Sequence, residues 1–486
     1  MGKILCLNGE NLELEALLAY IEENPFKVKI SRTNLEGFHG ELLNPRKVIS
    51  NTKLLEETPD IMLRTYALCY GNILPEEIGR ISLVLLLNAG LRYGNDLRQE
   101  FIERILYFIN HNISPCIHDM NKHEISAMSE LSLILAGEEK TLCYFNGEYT
   151  TTGDVFKELQ LEKMYLTRDE IVFMVNACCI STAISVYTLK EAKKLVKTAD
   201  ICLSMNLEAI RGEVGAFDYR LHEIGRPYRN QIMCAENIKR LIEDSEFTTE
   251  KARRAFDGDK GARCQDAICY RASPQTHGGV RDTIQWLEEN LVKELNNISY
   301  TINPIIGYSL DLMIISLVDL GNISERRSFR LNDSNLSYGL PMNLVGENPG
   351  FNHGFPVIQA AATAVLAELK LLALPNTACT SIFSNRNKYF CTTYPSALKS
   401  LEVISLLTKV LAIEMFMSAQ AMDLAKDKLI DYSFGKGTVV ALSEFRKYVK
   451  IVRENRFAAP DMVESDRLVK EGVILSAVEK SIGHLK

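Results

Sequence analysis

Glycine and proline are both scarce in this chain, at 28 and 14 of 486 residues. Few tight turns are therefore available, and long helices are the economical way to fold so much chain. No basic stretch followed by an apolar run opens the sequence MGKILCLNGENLELEALLAYIEENPF, so no secretory leader is expected. No uncharged run reaches the roughly 20 apolar residues of a membrane helix. The longest, IVFMVNACCISTAISVY at 171–187, carries Asn176, Ser181 and Thr182 and reads as a helix buried on all sides. No CxxC pair occurs among the twelve cysteines, which suggests reduced thiols in a cytoplasmic protein rather than a disulfide framework. A surplus of positive charge is missing too: the net charge is −7, so no nucleic-acid partner is expected.

What is present is helix signal. The chain is 47% hydrophobic, ample for a large core. Segments such as DLRQEFIERILYFINHN, DTIQWLEENLVKELNNIS, GYSLDLMIISLVDLGNISERR, FPVIQAAATAVLAELKLLA and YPSALKSLEVISLLTKVLAIEMFMSAQAMDLAKDKL carry apolar residues three and four apart. Thr167 followed by Glu170 fits a capping box, and Pro395 sits just inside the last long helix. Strand signals are local: KILCLNG near the start, and TLCYFNGEYT at 141–150 as a hairpin around Asn146-Gly147. The expected fold is mainly α, with a smaller α/β portion over 1–190 and a bundle of long helices with a helical tail over 191–486.

Several segments, in order, resemble the histidine and phenylalanine ammonia-lyase family. LNGENLELEALL looks like its opening strand and helix. MVNACCISTA is similar to its LNGTxxxTA helix. LEAIRGEVGAFDYRLHEIGRPYRNQIMCAENI follows LEALxGxxxxFDxRxHxxRPHxGQxxxAxN, and CQDAICYRASPQTHGGVRD resembles QDxYxLRxxPQxxG. ISERR at 323–327, YGLPMNLV, GFNHGFPVIQAAATAVLAELK and VLAIEMFMSAQAMDL complete the match. The resemblance implies the histidine ammonia-lyase-like (L-aspartase-like) helical fold and a homotetramer whose sites draw residues from three subunits. A shared fold does not carry activity by itself.

The family's activity depends on an electrophilic ring, methylidene-imidazolone, made autocatalytically from Ala-Ser-Gly. Glycine lets a backbone nitrogen reach the preceding carbonyl, and serine loses water to leave the methylidene carbon. Aligned backwards from LILAGEE, that triad falls on Asn121-Lys122-His123. Aligned forwards from Pro115, it falls on Ile125-Ser126-Ala127. Ala-Ser-Gly is absent in either register, so the ring, and with it any prosthetic group, is not expected. The family's QDxYxLR tyrosine falls on Ile268, with Tyr270 two residues on. Its glycine-rich loop is missing between Pro304 and Gly307, and its carboxylate in an NQED-like stretch falls on Lys388.

Other parts survive. By resemblance, Arg271 is the substrate-carboxylate arginine, suited to that task by its two-point fork. Asn176 falls on the active-site asparagine, and Gln275 on the motif glutamine. Tyr66 falls on the catalytic-base tyrosine, a role that Tyr70 could hold instead because the segment is shorter. Lys122 and Lys388 add positive charge and an amine. Structural readings stand beside these roles. The lysines could face solvent, Arg271 could pair with Asp266 or Asp282, and Asn176 could be a plain buried amide. His118, Asp119, His123 and Glu124 fit no strong metal-ligand spacing, so no metal is expected. Three functions remain open: an enzyme that binds an amino acid or related carboxylate and works without the ring, an inactive paralogue that binds and regulates, and a residual ammonia-lyase using Ser126.

Overall fold

The computed structural model describes residues 3–22, 27–31, 59–93, 97–259, 263–297, 303–378 and 392–486. It is mainly helical, as the apolar spacing predicts. In chain order the helices are α1 (Leu14–Glu22), α2 (Pro59–Tyr66), α3 (Glu76–Tyr93), α4 (Gln99–Asn110), α5 (Glu124–Ala136), α6 (Thr152–Glu158), α7 (Arg168–Asn176), α8 (Cys179–Ala209) and α9 (Arg229–Leu241). They continue with α10 (Glu250–Ala255), α11 (Ile268–Arg271), α12 (Ser273–Glu294), α13 (Pro304–Leu331), α14 (Pro356–Leu372), α15 (Thr393–Lys428), α16 (Lys436–Tyr448), α17 (Ala459–Lys470) and α18 (Val473–Ile482).

Internal contacts group the chain into two units. The first holds Met1–Lys190, Leu287–Leu310 and Asn376–Leu401; the second holds Glu191–Trp286, Asp311–Pro375 and Glu402–Lys486. This grouping differs from a single cut at residue 190 in that two later segments join the amino-terminal portion. Side-chain amides show why. Asn296 accepts from the Leu12 backbone N–H at 3.1 Å and donates to its carbonyl at 2.9 Å, while Asn88 donates to the Leu295 carbonyl. Thr393 Oγ1 in turn donates to the Asn303 carbonyl.

The first unit carries all the described strands. β1 (Ile4–Leu7) pairs in parallel with β2 (Lys27–Ile30). β3 (Ile113–Pro115), β4 (Leu142–Phe145) and β5 (Glu148–Thr151) form an antiparallel sheet in that order. The β4–β5 connection is the expected Asn146-Gly147 turn. Both residues have positive φ, 52° and 83°, the twist a two-residue hairpin favours. Helices α2, α5 and α7 pack around Leu63, Leu133 and Ile171. The expected capping box is present: Thr167 Oγ1 accepts from the Glu170 N–H, and the Glu170 carboxylate accepts from the Thr167 N–H at 2.8 Å.

In the second unit the core is helix against helix. Phe416 of α15 meets Phe355 edge-on and Phe445 of α16 at a tilt. Arg327 of α13 and Glu414 of α15 form a wholly buried ion pair, with Ser324 donating to the same carboxylate and Arg327 donating to Ser273 Oγ. Two helical stretches, Arg168–Ala209 and Pro304–Leu331, are long and apolar enough to cross a membrane. Their most apolar windows are 67% and 61% buried inside the protein, as those of core helices are.

Candidate functional site

The residues singled out in the first unit converge on the segment that leads into α5. Helix α5 begins at Glu124, with His123 as its extended N-cap residue. Asn121-Lys122-His123 is therefore the tripeptide immediately before the helix, whereas Ile125-Ser126-Ala127 lies in its first turn. There the Ser126 and Ala127 N–H groups both donate to the His123 carbonyl, at 3.0 and 3.2 Å.

The chain after α2 is clamped to this segment. Ile73 bridges His118 in strand fashion, Leu74 N donates to the Ile117 carbonyl, and Asp119 N donates to that of Asn72. Asn72 returns two hydrogen bonds to the Asp119 carboxylate, each 3.0 Å. Gly71 sits at φ +109° with Asp119 Oδ1 only 2.3 Å from where a Cβ would stand, so a side chain there would break the clamp.

Around this clamp lies a buried polar chain. Asn121 is fully buried; its Nδ2 donates to Glu130 Oε2 at 2.6 Å. Ser126 Oγ lies 2.7 Å from both Asn121 Oδ1 and the Tyr66 carbonyl, sharing its one proton between them. Glu130 also accepts from the His118 backbone N–H at 3.0 Å and faces His118 Nδ1 at 2.6 Å. Burial and then the neighbouring Glu130 push the Cys69 thiol up to about 12, so it is no thiolate at neutral pH. Glu124, also buried, accepts from the Ile180 and Ser181 N–H groups at the start of α8. Burial raises its carboxyl to about 7 against those favourable bonds. Tyr394 is buried, and its hydroxyl has no hydrogen-bond partner among the described residues. Burial holds that phenol well above its ordinary range, with Glu124, Glu130 and Asp119 as its charged neighbours.

The expected catalytic groups are less enclosed. Tyr66, the last residue of α2, is half exposed, and Tyr70 more so. Lys122 is exposed. Asn176 ends α7, and its Nδ2 donates to the Val172 carbonyl of its own helix at 2.7 Å. Lys388 lies outside the described residues.

In the second unit Arg271 ends α11 with an exposed side chain, and no hydrogen bond or ion pair engages it among the described residues. The alternative ion pairs are not formed. Asp266 is taken by Arg263 and the Glu213 N–H, and Asp282 accepts from Asn230. Tyr270, expected to touch a ligand, is instead buried and donates to Asn206 Oδ1 at 2.7 Å, because the single turn of α11 directs Cys269 and Tyr270 inward and leaves Ile268 and Arg271, three residues apart, facing out. Ile268 is exposed and borders a cavity of about 500 Å³ that Asn322, Arg326, Phe329 and Arg330 also line. The Gln275 carboxamide faces the Ala272 carbonyl and the Arg226 guanidinium.

One group of metal-ligand type occurs among the described residues: Asp200, Cys234 and His277. Its carboxylate is already saturated by His277, Cys234, Asn237 and Arg281, so the donor set suits an ion pair rather than a cation. Reading by motif missed the His118–Glu130 pair and the Glu124 clamp. The available signal was an acidic residue inside the apolar run AMSELSLIL.

Comparison with known proteins agrees with this architecture. The sequence matches the aromatic amino acid lyase family over residues 45–447. It is 29% identical to the histidine ammonia-lyase of Alkaliphilus oremlandii, across 99% of both chains. The fold superposes on tyrosine aminomutase from Streptomyces globisporus with a TM-score of 0.85 at 23% identity, over 98% of each chain. It also superposes on the ergothionase of Treponema denticola, solved with desmethyl-ergothioneine sulfonic acid, with a TM-score of 0.81 at 20% identity, over 97% of this chain and all of that one. With the family's sequence pattern spanning most of its length on the family's fold, the chain belongs to the aromatic amino acid lyases.

Proposed function

We propose that this protein is a divergent aromatic amino acid lyase homologue that binds an amino acid or a related carboxylate and works without the self-made ring, by acid–base or amine chemistry. The observation that carries this reading is the start of α5 at Glu124. It favours the register in which Asn121-Lys122-His123 occupies the triad position, and these residues do not fit the ring: there is no serine to dehydrate and no glycine at the attacking nitrogen. Asn121 is moreover committed through its side chain to Glu130 and Ser126. A residual lyase built on Ser126 would need the Ala127 nitrogen as attacking group, and that N–H is spent on the His123 carbonyl. Arg271, exposed and unpaired among the described residues, supports carboxylate recognition.

A second reading, an inactive paralogue with a binding or regulatory role, is favoured by the exposure of Lys122 and of Tyr66. In both readings the protein is a cytoplasmic homotetramer. The cysteines among the described residues are free thiols, which supports a reducing compartment.

Two measurements test the proposal. The intact mass should equal the encoded mass; a deficit of two waters would show a ring and end the reading. Amino acids and 2-oxo acids should raise the melting temperature of the wild type, and Arg271→Ala should lose that rise. Stabilisation that persists in Arg271→Ala would refute the carboxylate role, and ligand-dependent stabilisation without turnover would select the inactive paralogue.

A further inference from the structure

His118 and Glu130 are placed as a base and its orienting carboxylate, a role that neither the family's sequence pattern nor any resemblance assigns to them. The two side chains are nearly buried, with 7% and 1% of their surface exposed, and Nδ1 stands 2.6 Å from Oε1. A carboxylate at that distance fixes the imidazole proton on Nδ1 and leaves the Nε2 lone pair available. Nε2 has no hydrogen-bond partner among the described residues. Glu130 is itself held by Asn121 Nδ2 and the His118 N–H, so the carboxylate cannot swing away from the ring. The buried Tyr394 hydroxyl, without a hydrogen-bond partner among the described residues, is a second polar group beside the same acidic cluster. Cys69, Cys116, Asp119, Glu124 and Tyr394 are among the other titratable groups around this carboxylate.

We propose that His118 is the general base of this site and that its substrate is a carboxylate whose reacting C–H stands next to a carbonyl, as in a 2-oxo acid. This deepens the ring-free reading and rests on it. A neutral imidazole is too weak a base to remove an unactivated carbon proton. With no electrophilic ring to acidify that hydrogen, the substrate must bring its own electron sink. In the step, the C–H bond breaks, its electron pair moves into the adjacent carbonyl to give an enolate, and the proton joins Nε2. The resulting imidazolium is matched by the Glu130 carboxylate. Return of a solvent-derived proton to carbon closes the cycle without any oxidant.

The test follows solvent deuterium into pyruvate, phenylpyruvate and 4-hydroxyphenylpyruvate by proton NMR, with the full chain. The wild type should accelerate exchange at the carbon next to the ketone by at least roughly tenfold over buffer for one of them. His118→Asn keeps an amide donor toward Glu130 but has no Nε2; it should lose about a hundredfold of that rate while melting within about 2 °C of wild type. Exchange unchanged in His118→Asn, or no exchange by the wild type, overturns the proposal. Thermal stabilisation by these acids without any exchange would refute the base and leave the binding reading intact. Neither response would refute both.

Discussion

Two buried carboxyls set an expectation for how stability responds to pH. Burial raises both Glu124 and Glu208 from 4.5 to about 7. Each therefore holds its proton more tightly folded than unfolded. Their stabilising contribution is complete below about pH 4.5 and drains away as the pH climbs through about 7. A shift of this size is worth about 3 kcal/mol per group. Glu124→Gln keeps an acceptor for Ile180 and Ser181 but no longer ionises. Its melting temperature relative to wild type should therefore rise between pH 5.5 and pH 8, as scanning calorimetry would show. A constant difference across that range would mean that Glu124 is ionised in the fold at its ordinary pH. The residue scale is also where the sequence was least legible. Motif matching could single out Arg271 and Asn176 as candidates, but the burial of Tyr270 and the pairing of His118 with Glu130 depend on which side of a turn faces inward.

At the scale of elements, local chemistry decided much that could be read in advance. The Thr167–Glu170 box and the Asn146-Gly147 turn stand where the sequence placed them, because each is satisfied by neighbours within a few residues. Glu170 does more than cap. Its buried carboxylate also receives Arg98 Nε and Nη2, both at 2.8 Å. Thr167→Ala should cost about 1 kcal/mol in urea unfolding, the ordinary value of a lost cap. Glu170→Ala should cost distinctly more, about 2 kcal/mol, because it strips the cap and the charge-assisted hydrogen bonds from the partly exposed Arg98. Equal costs would show that the Arg98 pair adds nothing to the fold.

At the scale of the molecule, α13 is the informative element. Its exposed residues, Tyr308, Leu312, Ile315, Asp319, Arg326 and Phe329, fall with half-buried Asn322 on a single stripe, spaced alternately four and three residues apart. That is the spacing of a helix meeting another helix along one seam, and it supports the proposed homotetramer. Leu312→Glu combined with Ile315→Glu should reduce the mass found by light scattering below that of four chains while the far-ultraviolet dichroism stays helical. A wild type that is already monomeric would refute the assembly.

The sequence by itself determined the helical class, the family and the caps, because periodicity and short-range capping depend on residues close along the chain. Only the tertiary structure shows where α5 starts against α2 and α8, the observation on which the proposed register rests. It also decided that Asn121, Glu130 and His118, up to twelve residues apart, share one buried network. Such groupings arise from packing between elements, and no local pattern records them.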